Sequence, residues 1–166
     1  MAQVTLKGNA VTTNGELPAL GSTCPDFKLT ATDLSDVSLA DFAGKKKLLS
    51  IVPSLDTGVC ATSSDAFEKA AADFKDTAFL VISVDTPFAQ QRFCQEHSCK
   101  NIKTLSLMRS RKFAKDIGVL VQDGPLAGVT TRSVIVLDKN NKVVYTQLVP
   151  EITEEPDYSS ALQALK

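Results

Sequence analysis

Two cysteines in different parts of the sequence have the surroundings of a reactive thiol and its partner. Cys60 ends the segment Pro53 to Cys60 (PSLDTGVC), which follows an apolar run from Leu48 to Val52 and leads into a helical pattern. The first turn of a helix offers unpaired N–H groups and the positive end of the helix dipole, and both stabilise a thiolate. Cys94 lies well downstream in a second helical pattern. The pair predicts reversible disulfide chemistry, and therefore a redox enzyme.

A helix start alone would not make such a thiol fast. An ordinary cysteine with a pKa near ~8.5 is only ~3% thiolate at neutral pH. A pKa of about 6 would raise the thiolate fraction roughly 30-fold, but a Brønsted slope of ~0.4–0.5 would weaken the nucleophile roughly 10-fold. Most of the acceleration must come from donors that hold the substrate and the leaving group. Thr57, three residues before Cys60, and Arg132, just ahead of the apolar segment Ser133 to Leu137, are the candidates.

Alternating strand and helix patterns must position these groups. The apolar runs Lys47 to Val52 and Ala78 to Val84 predict buried strands. Apolar residues at helical spacing predict one helix from Gly58 and a second over Phe88 to Cys99, which Pro87 opens. Each predicted helix follows a predicted strand and carries one of the two cysteines.

The sequence also predicts the remaining strands and helices. They are a hairpin from Thr5 to Thr13 centred on Gly8-Asn9, short strands at Phe27 to Ala31 and Val37 to Leu39, a helix around Arg111 to Ile117, a hairpin of Ser133 to Leu137 with Lys142 to Leu148, and a last helix through Tyr158 and Leu165. This order predicts an α/β protein of thioredoxin-like fold, with a mixed central β-sheet flanked by helices and an N-terminal β-hairpin extension. No repeat or linker divides the chain, so residues 1–166 are expected to form a single domain.

Composition narrows the possible partners. The 166 residues are 43% hydrophobic, which is enough for a sizeable core, and the formal net charge of −1 gives no basic field for nucleic acid or an anionic membrane. The N-terminus has no basic stretch followed by an apolar region, and no apolar run approaches the ~18 residues of a membrane span. We expect a cytoplasmic protein that binds neither nucleic acid nor membrane.

Two further cysteines remain to be assigned. Cys99 lies five residues from Cys94 and could compete with it as the partner of Cys60. On a continuous helix the two side chains would point about 140° apart, so only one could easily face Cys60. Cys24, followed by Pro25, is predicted to be a passive thiol.

Two other functions could use the same residues. A zinc module could be built from Cys94, His97 and Cys99, with Cys60 or Cys24 as a further ligand. The spacing differs from paired Cys-x-x-Cys ligands, however, and the chain has only one histidine. A disulfide oxidoreductase or isomerase on the same fold would need a Cys-x-x-Cys pair, which is missing. We therefore consider both functions weaker hypotheses than a cysteine-based redox enzyme.

Taken singly, the candidate residues also have ordinary explanations. A cysteine at a helix start is usually a small buried residue, an arginine ahead of a strand is usually a surface charge, and a threonine at a helix start is usually a cap. His97 is expected on a solvated helix face, Lys45 to Lys47 in a polar turn, and the acidic segment Glu151 to Asp157 in a solvated lead-in to the last helix.

Together, the residues resemble a known family. The segment Pro53 to Cys60 is similar to the active-site motif of peroxiredoxins, which consists of a proline, a threonine, two further residues and a cysteine. Four segments narrow the resemblance to the bacterial thiol peroxidase branch, the atypical two-cysteine peroxiredoxins: 56–60 (DTGVC), 87–94 (PFAQQRFC), 123–126 (DGPL) and 151–158 (EITEEPDY). The similarity runs over nearly the whole chain.

The resemblance implies a role for each candidate residue. Cys60 would be the peroxidatic cysteine that reduces hydrogen peroxide and alkyl hydroperoxides, and Cys94 the resolving cysteine that forms an intrachain disulfide with its sulfenic acid. Pro53 would shield the thiolate, while Thr57 and Arg132 would bind the peroxide oxygens. The family resemblance also implies reduction by thioredoxin, a homodimer, and no metal, haem or flavin cofactor.

Overall fold

The computed structural model describes residues 1–166 and has nine strands and four α-helices. The strands are β1 (Gln3–Leu6), β2 (Asn9–Thr12), β3 (Leu29–Thr30), β4 (Asp36–Val37), β5 (Lys46–Ile51), β6 (Thr77–Ser83), β7 (Ile102–Ser106), β8 (Ser133–Leu137) and β9 (Val143–Leu148). The helices are α1 (Gly58–Ala71), α2 (Pro87–Glu96), α3 (Lys112–Asp116) and α4 (Tyr158–Gln163), and a 3₁₀ turn covers Leu39–Phe42. No helix is long and apolar enough to cross a membrane.

Seven strands form one mixed sheet in the order β4-β3-β7-β6-β5-β8-β9, in which β5, β6 and β7 are parallel and the other pairs are antiparallel. Successive side chains of a strand point to opposite faces of the sheet, so neighbouring residues of the central strands lie in different hydrophobic cores. Leu48 faces the core that includes Phe67 of α1, and Leu49 faces the core that includes Phe113 of α3. The predicted mixed sheet with helices on both faces is confirmed.

The N-terminal hairpin is also confirmed, with its turn one residue earlier than the sequence suggested. Leu6 pairs with Asn9, and the two-residue loop is formed by Lys7 and Gly8, with φ values of +51° and +81°. Positive φ at both loop positions is the geometry whose twist suits a tight hairpin, and glycine adopts it without strain.

The predicted extent of the second helix was wrong at its C-terminal end. α2 ends at Glu96 and not at Cys99. Ser98 adopts a left-handed conformation with φ of +54°, and the Cys99 N–H donates to the Cys94 carbonyl over 3.0 Å. This bond between residues five apart is the mark of a Schellman helix end. The inference that Cys94 and Cys99 point about 140° apart therefore fails, because they do not share a continuous helix.

The sequence predicted a polar turn at Lys45 to Lys47, but β5 begins within this segment. Lys46 and Lys47 lie in β5, and Lys47 is fully buried. Its Nζ donates to the Asn141 side-chain oxygen over 2.6 Å, at the turn between β8 and β9. The buried ammonium is tolerated because this hydrogen bond replaces one to water.

Candidate active site

The chain delivers Cys60 from a buried strand to the first turn of a helix. β5 ends at Ile51, and Thr57 is the last residue before α1, with extended backbone angles (φ −92°, ψ 146°). Cys60 is the third residue of α1 and is fully buried. It therefore lies among the N–H groups that have no partner within the helix.

Arg132, the residue before β8, contacts the sulfur of Cys60. β8 pairs antiparallel with β5, with Ser133 opposite Ile51, so the residue before β8 lies beside the chain that leads to α1. Its Nη2 is 3.2 Å from Cys60 Sγ, and its Nε donates to the Ile152 carbonyl over 3.0 Å. The guanidinium can thus donate a charge-assisted hydrogen bond to a thiolate.

The third nitrogen of this guanidinium is unusual. Arg132 is only 2% exposed, yet its Nη1 has no hydrogen-bond partner in the protein. Leaving a buried donor unpaired costs about 1–3 kcal/mol, and more for a charged group. A bound ligand that accepts a hydrogen bond would remove this cost.

A pocket of about 300 Å³ lies against the arginine. Its walls combine Pro53, Thr57 and Arg132 with mostly apolar neighbours, among them Leu6, Val59, Leu126, Val129 and Ile152. Cys60 is not among the lining residues, so Arg132 is the group that touches both the pocket and the sulfur. The pocket can take an apolar molecule with a small polar end.

Thr57 occupies the helix-capping position without acting as a cap. Its hydroxyl donates to the Ser54 carbonyl over 3.1 Å and makes no capping bond to α1. The side chain is exposed on the pocket wall. Because a hydroxyl oxygen has two lone pairs, Thr57 retains the capacity to accept a hydrogen bond from a ligand.

Asp85 links the loop before Cys60 to the start of the helix that carries Cys94. Its carboxylate accepts from the Ser54 hydroxyl (2.7 Å), the Leu55 N–H (2.8 Å) and the Ser83 hydroxyl (2.7 Å). Asp85 lies two residues before α2, so one carboxylate fixes both segments. The sequence did not predict this role of Asp85, although Ser83-Val84-Asp85 at a strand end was the available signal.

Glu151 is partly exposed, as expected for the solvated lead-in to the last helix, but its carboxylate also has specific partners that were not predicted. Its carboxylate accepts from the Thr5 hydroxyl (2.6 Å), the Lys7 N–H (2.9 Å) and the Gly8 N–H (3.1 Å), so it fastens the hairpin turn. The Thr5 hydroxyl first, and then the two N–H groups, hold the pKa of Glu151 well below its usual range. Lys7 and Ile152, which line the pocket, lie on either side of this contact.

The remaining cysteines differ in their surroundings. All four are free thiols. Cys94 and Cys99 are half-buried and line one cleft of about 340 Å³, and Cys94 packs against the apolar cluster that contains Cys60. Cys24 is buried, and burial, with a smaller contribution from Asp26, raises its pKa to about 12. It therefore remains a neutral thiol at physiological pH.

The arrangement of ligating side chains does not suit the zinc hypothesis. No group of three or more His, Cys, Asp or Glu side chains is placed to hold a metal ion. The Nδ1 atom of His97 lies 3.1 Å from the Asp65 carboxylate, and its ring stacks on Phe93 at 4.1 Å between centroids. His97 is thus engaged in holding α2 to α1.

A buried thiol in the first turn of a helix, touched by a buried arginine on a thioredoxin-like sheet, defines a cysteine-based redox enzyme. Three comparisons make this class more specific. The family model described as Redoxin matches residues 19–164. A thiol peroxidase of Corynebacterium glutamicum is 49% identical over 165 residues, which is 99% of each chain. The solved structure of a peroxiredoxin-like protein from Aquifex aeolicus superposes with a TM-score of 0.94 at 38% identity, covering 99% of this chain and 96% of that one.

A solved structure of a thiol peroxidase from Chromobacterium violaceum is also similar, with a TM-score of 0.92 at 26% identity, covering 99% of this chain and 96% of that one. The chain belongs to the redoxin family and, within it, to the thiol peroxidase branch of the peroxiredoxins. It is a peroxidase, and this activity implies a hydroperoxide substrate and a thiol reductant.

Proposed function

We propose that Cys60 is the peroxidatic nucleophile of a peroxidase that reduces hydrogen peroxide and alkyl hydroperoxides. The observation that carries this proposal is the position of Arg132, which donates to Cys60 Sγ, lines the pocket, and keeps one buried nitrogen unpaired. A peroxide oxygen in the pocket would accept from that nitrogen while the sulfur is held as the attacking group.

In the chemical step, the Cys60 thiolate attacks the terminal oxygen of the hydroperoxide. An S–O bond forms as the O–O bond breaks, and the alkoxide or hydroxide leaves as an alcohol or water once it takes up a proton. Arg132 stabilises the negative charge as it moves from sulfur to the leaving oxygen, and the Thr57 hydroxyl accepts from the peroxide O–H. Pro53, buried on the pocket wall, limits access of water to the thiolate.

The pocket favours alkyl hydroperoxides over hydrogen peroxide. The pocket volume of about 300 Å³ is larger than hydrogen peroxide requires. Most of the surface that lines the pocket is apolar, so a carbon chain can contact it. Burying one methylene group there contributes about 0.8 kcal/mol.

Cys94 completes the cycle in this proposal. Its thiolate attacks the sulfenic sulfur of Cys60, water leaves, and an intrachain disulfide forms. A disulfide requires Cα atoms ~4.4–6.8 Å apart, a condition that two residues in separate helices rarely meet. We therefore infer that α1, α2 or both unfold locally during turnover, so that hydrogen exchange near Cys60 or Cys94 is faster in the oxidised protein. Equal protection of both segments in the two redox states would contradict this.

Recycling of the disulfide by thioredoxin and a homodimer rest on the family resemblance. A cytoplasmic location and a single domain over residues 1–166 rest on the sequence pattern. The half-buried position of Cys94 is consistent with attack by an external dithiol, whereas Cys60 is fully buried.

The decisive experiment is stopped-flow oxidation of the reduced protein by hydrogen peroxide and by an alkyl hydroperoxide. Cys60→Ser is expected to lose the fast phase with both oxidants, whereas Cys24→Ser keeps it, because the Cys24 thiol is buried and neutral. A Cys60→Ser variant that still reacts rapidly would end the proposal.

A further inference from the structure

Cys94 and Cys99 occupy two defined positions of the Schellman end of α2. Cys94 is the third residue from the end, His97 follows the helix, Ser98 takes the left-handed position, and Cys99 comes next. In this motif the residue after the left-handed position commonly contacts the side chain three residues before the cap. Both cysteines line the same cleft.

The backbone geometry suits a disulfide between them. The Cys99 N–H to Cys94 carbonyl distance is 3.0 Å. Because a Cα atom lies about 2.4 Å from its own carbonyl oxygen and about 1.5 Å from its own nitrogen, this bond keeps the two Cα atoms within about 7 Å. A disulfide needs ~4.4–6.8 Å, so the hydrogen bond brings the two Cα atoms close to the range in which one can form.

The surroundings set the order in which the two thiols react. Burial first, and then the neighbouring Cys94 thiol, raise the pKa of Cys99 in the reduced protein, so Cys99 is a poor nucleophile at that stage. Once Cys94 is in a disulfide with Cys60, its thiol no longer raises the pKa of Cys99, and local opening of α2 exposes Cys99. Both changes favour the Cys99 thiolate at that stage of the cycle.

We propose that Cys99 is a second resolving cysteine, which takes over the disulfide from Cys60. The Cys99 thiolate attacks the Cys94 sulfur of the Cys60–Cys94 disulfide, the Cys94–Cys99 bond forms, and Cys60 leaves as a thiolate. The Cys99 proton passes to solvent, and no external oxidant or reductant is needed, because the exchange conserves one disulfide. The step rests on the proposed function of Cys60 and Cys94.

This transfer has two consequences. The disulfide moves to the half-buried cleft that Cys94 and Cys99 line, where an external dithiol can attack it. Cys60 also returns to its thiolate form before the protein is reduced, so it can react with a second hydroperoxide. That second sulfenic acid has no resolving thiol left and is open to over-oxidation to the sulfinic acid.

The test counts oxidising equivalents in the full-length protein without any reductant. Hydrogen peroxide is added stepwise to the reduced protein, the thiols are trapped by alkylation, and peptides are mapped by mass spectrometry. The wild type should take up two equivalents rapidly and end with Cys94–Cys99 linked and Cys60 oxidised. Cys99→Ser should stop after one equivalent with Cys60–Cys94 linked, and it should form less Cys60 sulfinic acid in excess peroxide.

Two variants at the exposed Ser98 distinguish the effect of the Cys99 thiol from the effect of the helix-end conformation. Ser98→Gly keeps the left-handed conformation at no steric cost, and should retain the second equivalent. Ser98→Val disfavours that conformation and should lower the yield of the Cys94–Cys99 bond. Cys24→Ser should behave as the wild type.

The inference is overturned if the wild type stops after one equivalent with only the Cys60–Cys94 bond. It is also overturned if Cys99→Ser matches the wild type both in the number of equivalents consumed and in the amount of Cys60 sulfinic acid formed. Failure of the proposed function gives a different result, in which Cys60→Ser still consumes peroxide rapidly.

Discussion

The surroundings of Cys60 and of the Cys94–Cys99 pair are built in opposite ways. Cys60 is fully buried, and the donor to its sulfur comes from Arg132, 72 residues away. Cys94 and Cys99 are half-buried, and a single turn of backbone brings them together. The nucleophile thus depends on long-range packing, whereas the proposed resolving pair depends on one helix end, which can open while the sheet stays intact.

The largest expected effect concerns the long-range contact. Arg132→Lys keeps the positive charge but loses the planar fork that reaches both sulfur and pocket. We expect the rate constant for oxidation of Cys60 to fall about 10²–10³-fold, the usual loss for one positioned donor. Stopped-flow measurement at several peroxide concentrations checks this.

Arg109→Lys is the matched control, because Arg109 makes an exposed ion pair with Asp36 and lies outside the pocket. Equal rate losses in the two variants would mean that the contact with Cys60 is not what accelerates the reaction.

Asp85 tests the connection between the two regions. Asp85→Asn replaces a carboxylate that accepts from Ser54, Leu55 and Ser83 by an amide with one accepting oxygen. We expect the free energy of unfolding to fall by about 2 kcal/mol, measured by urea denaturation. Asp73→Asn, an exposed carboxylate, should change it by less than about 0.5 kcal/mol. A similar small change for Asp85→Asn would show that the carboxylate does not hold the segments together.

Glu151 gives a pH-dependent test of the pocket wall. Its pKa lies below the ordinary value of 4.5 in the folded protein, so its contribution to stability is present above that value and is lost progressively as the pH falls. Glu151→Gln should lower the urea midpoint at pH 7, and the gap to the wild type should close below about pH 4.5. Glu154→Gln, at an exposed position, should show no such closing gap. A constant difference between wild type and Glu151→Gln across this range would contradict the assignment.

What the sequence predicted well was local, and what it missed was mostly a matter of distant contacts, with one local exception. The start of α1 and the strand before it follow from a few adjacent residues. Arg132 was a candidate from its residue type and the family resemblance, but its contact with Cys60 depends on the pairing of β5 with β8, which no local pattern specifies. The end of α2 was misjudged because a serine, and not the usual glycine, occupies its left-handed position. Contacts between distant segments, such as that of Glu151 with Thr5 to Gly8, cannot be found in one sequence, since every exposed acidic residue looks the same there.

The smallest expected effect belongs to an exposed ion pair between the two cysteine segments. Arg92 of α2 contacts Asp56 over 3.1 Å, and both side chains are more than half exposed. Exposed pairs contribute about 0–1 kcal/mol and are screened by salt, so Arg92→Gln should shift the urea midpoint only slightly, and less still in 1 M salt. A large, salt-resistant loss would mean that the two regions are coupled at the surface. A negligible loss leaves Asp85 as the stronger connection, which is the arrangement expected if α2 must separate from α1 in every catalytic cycle.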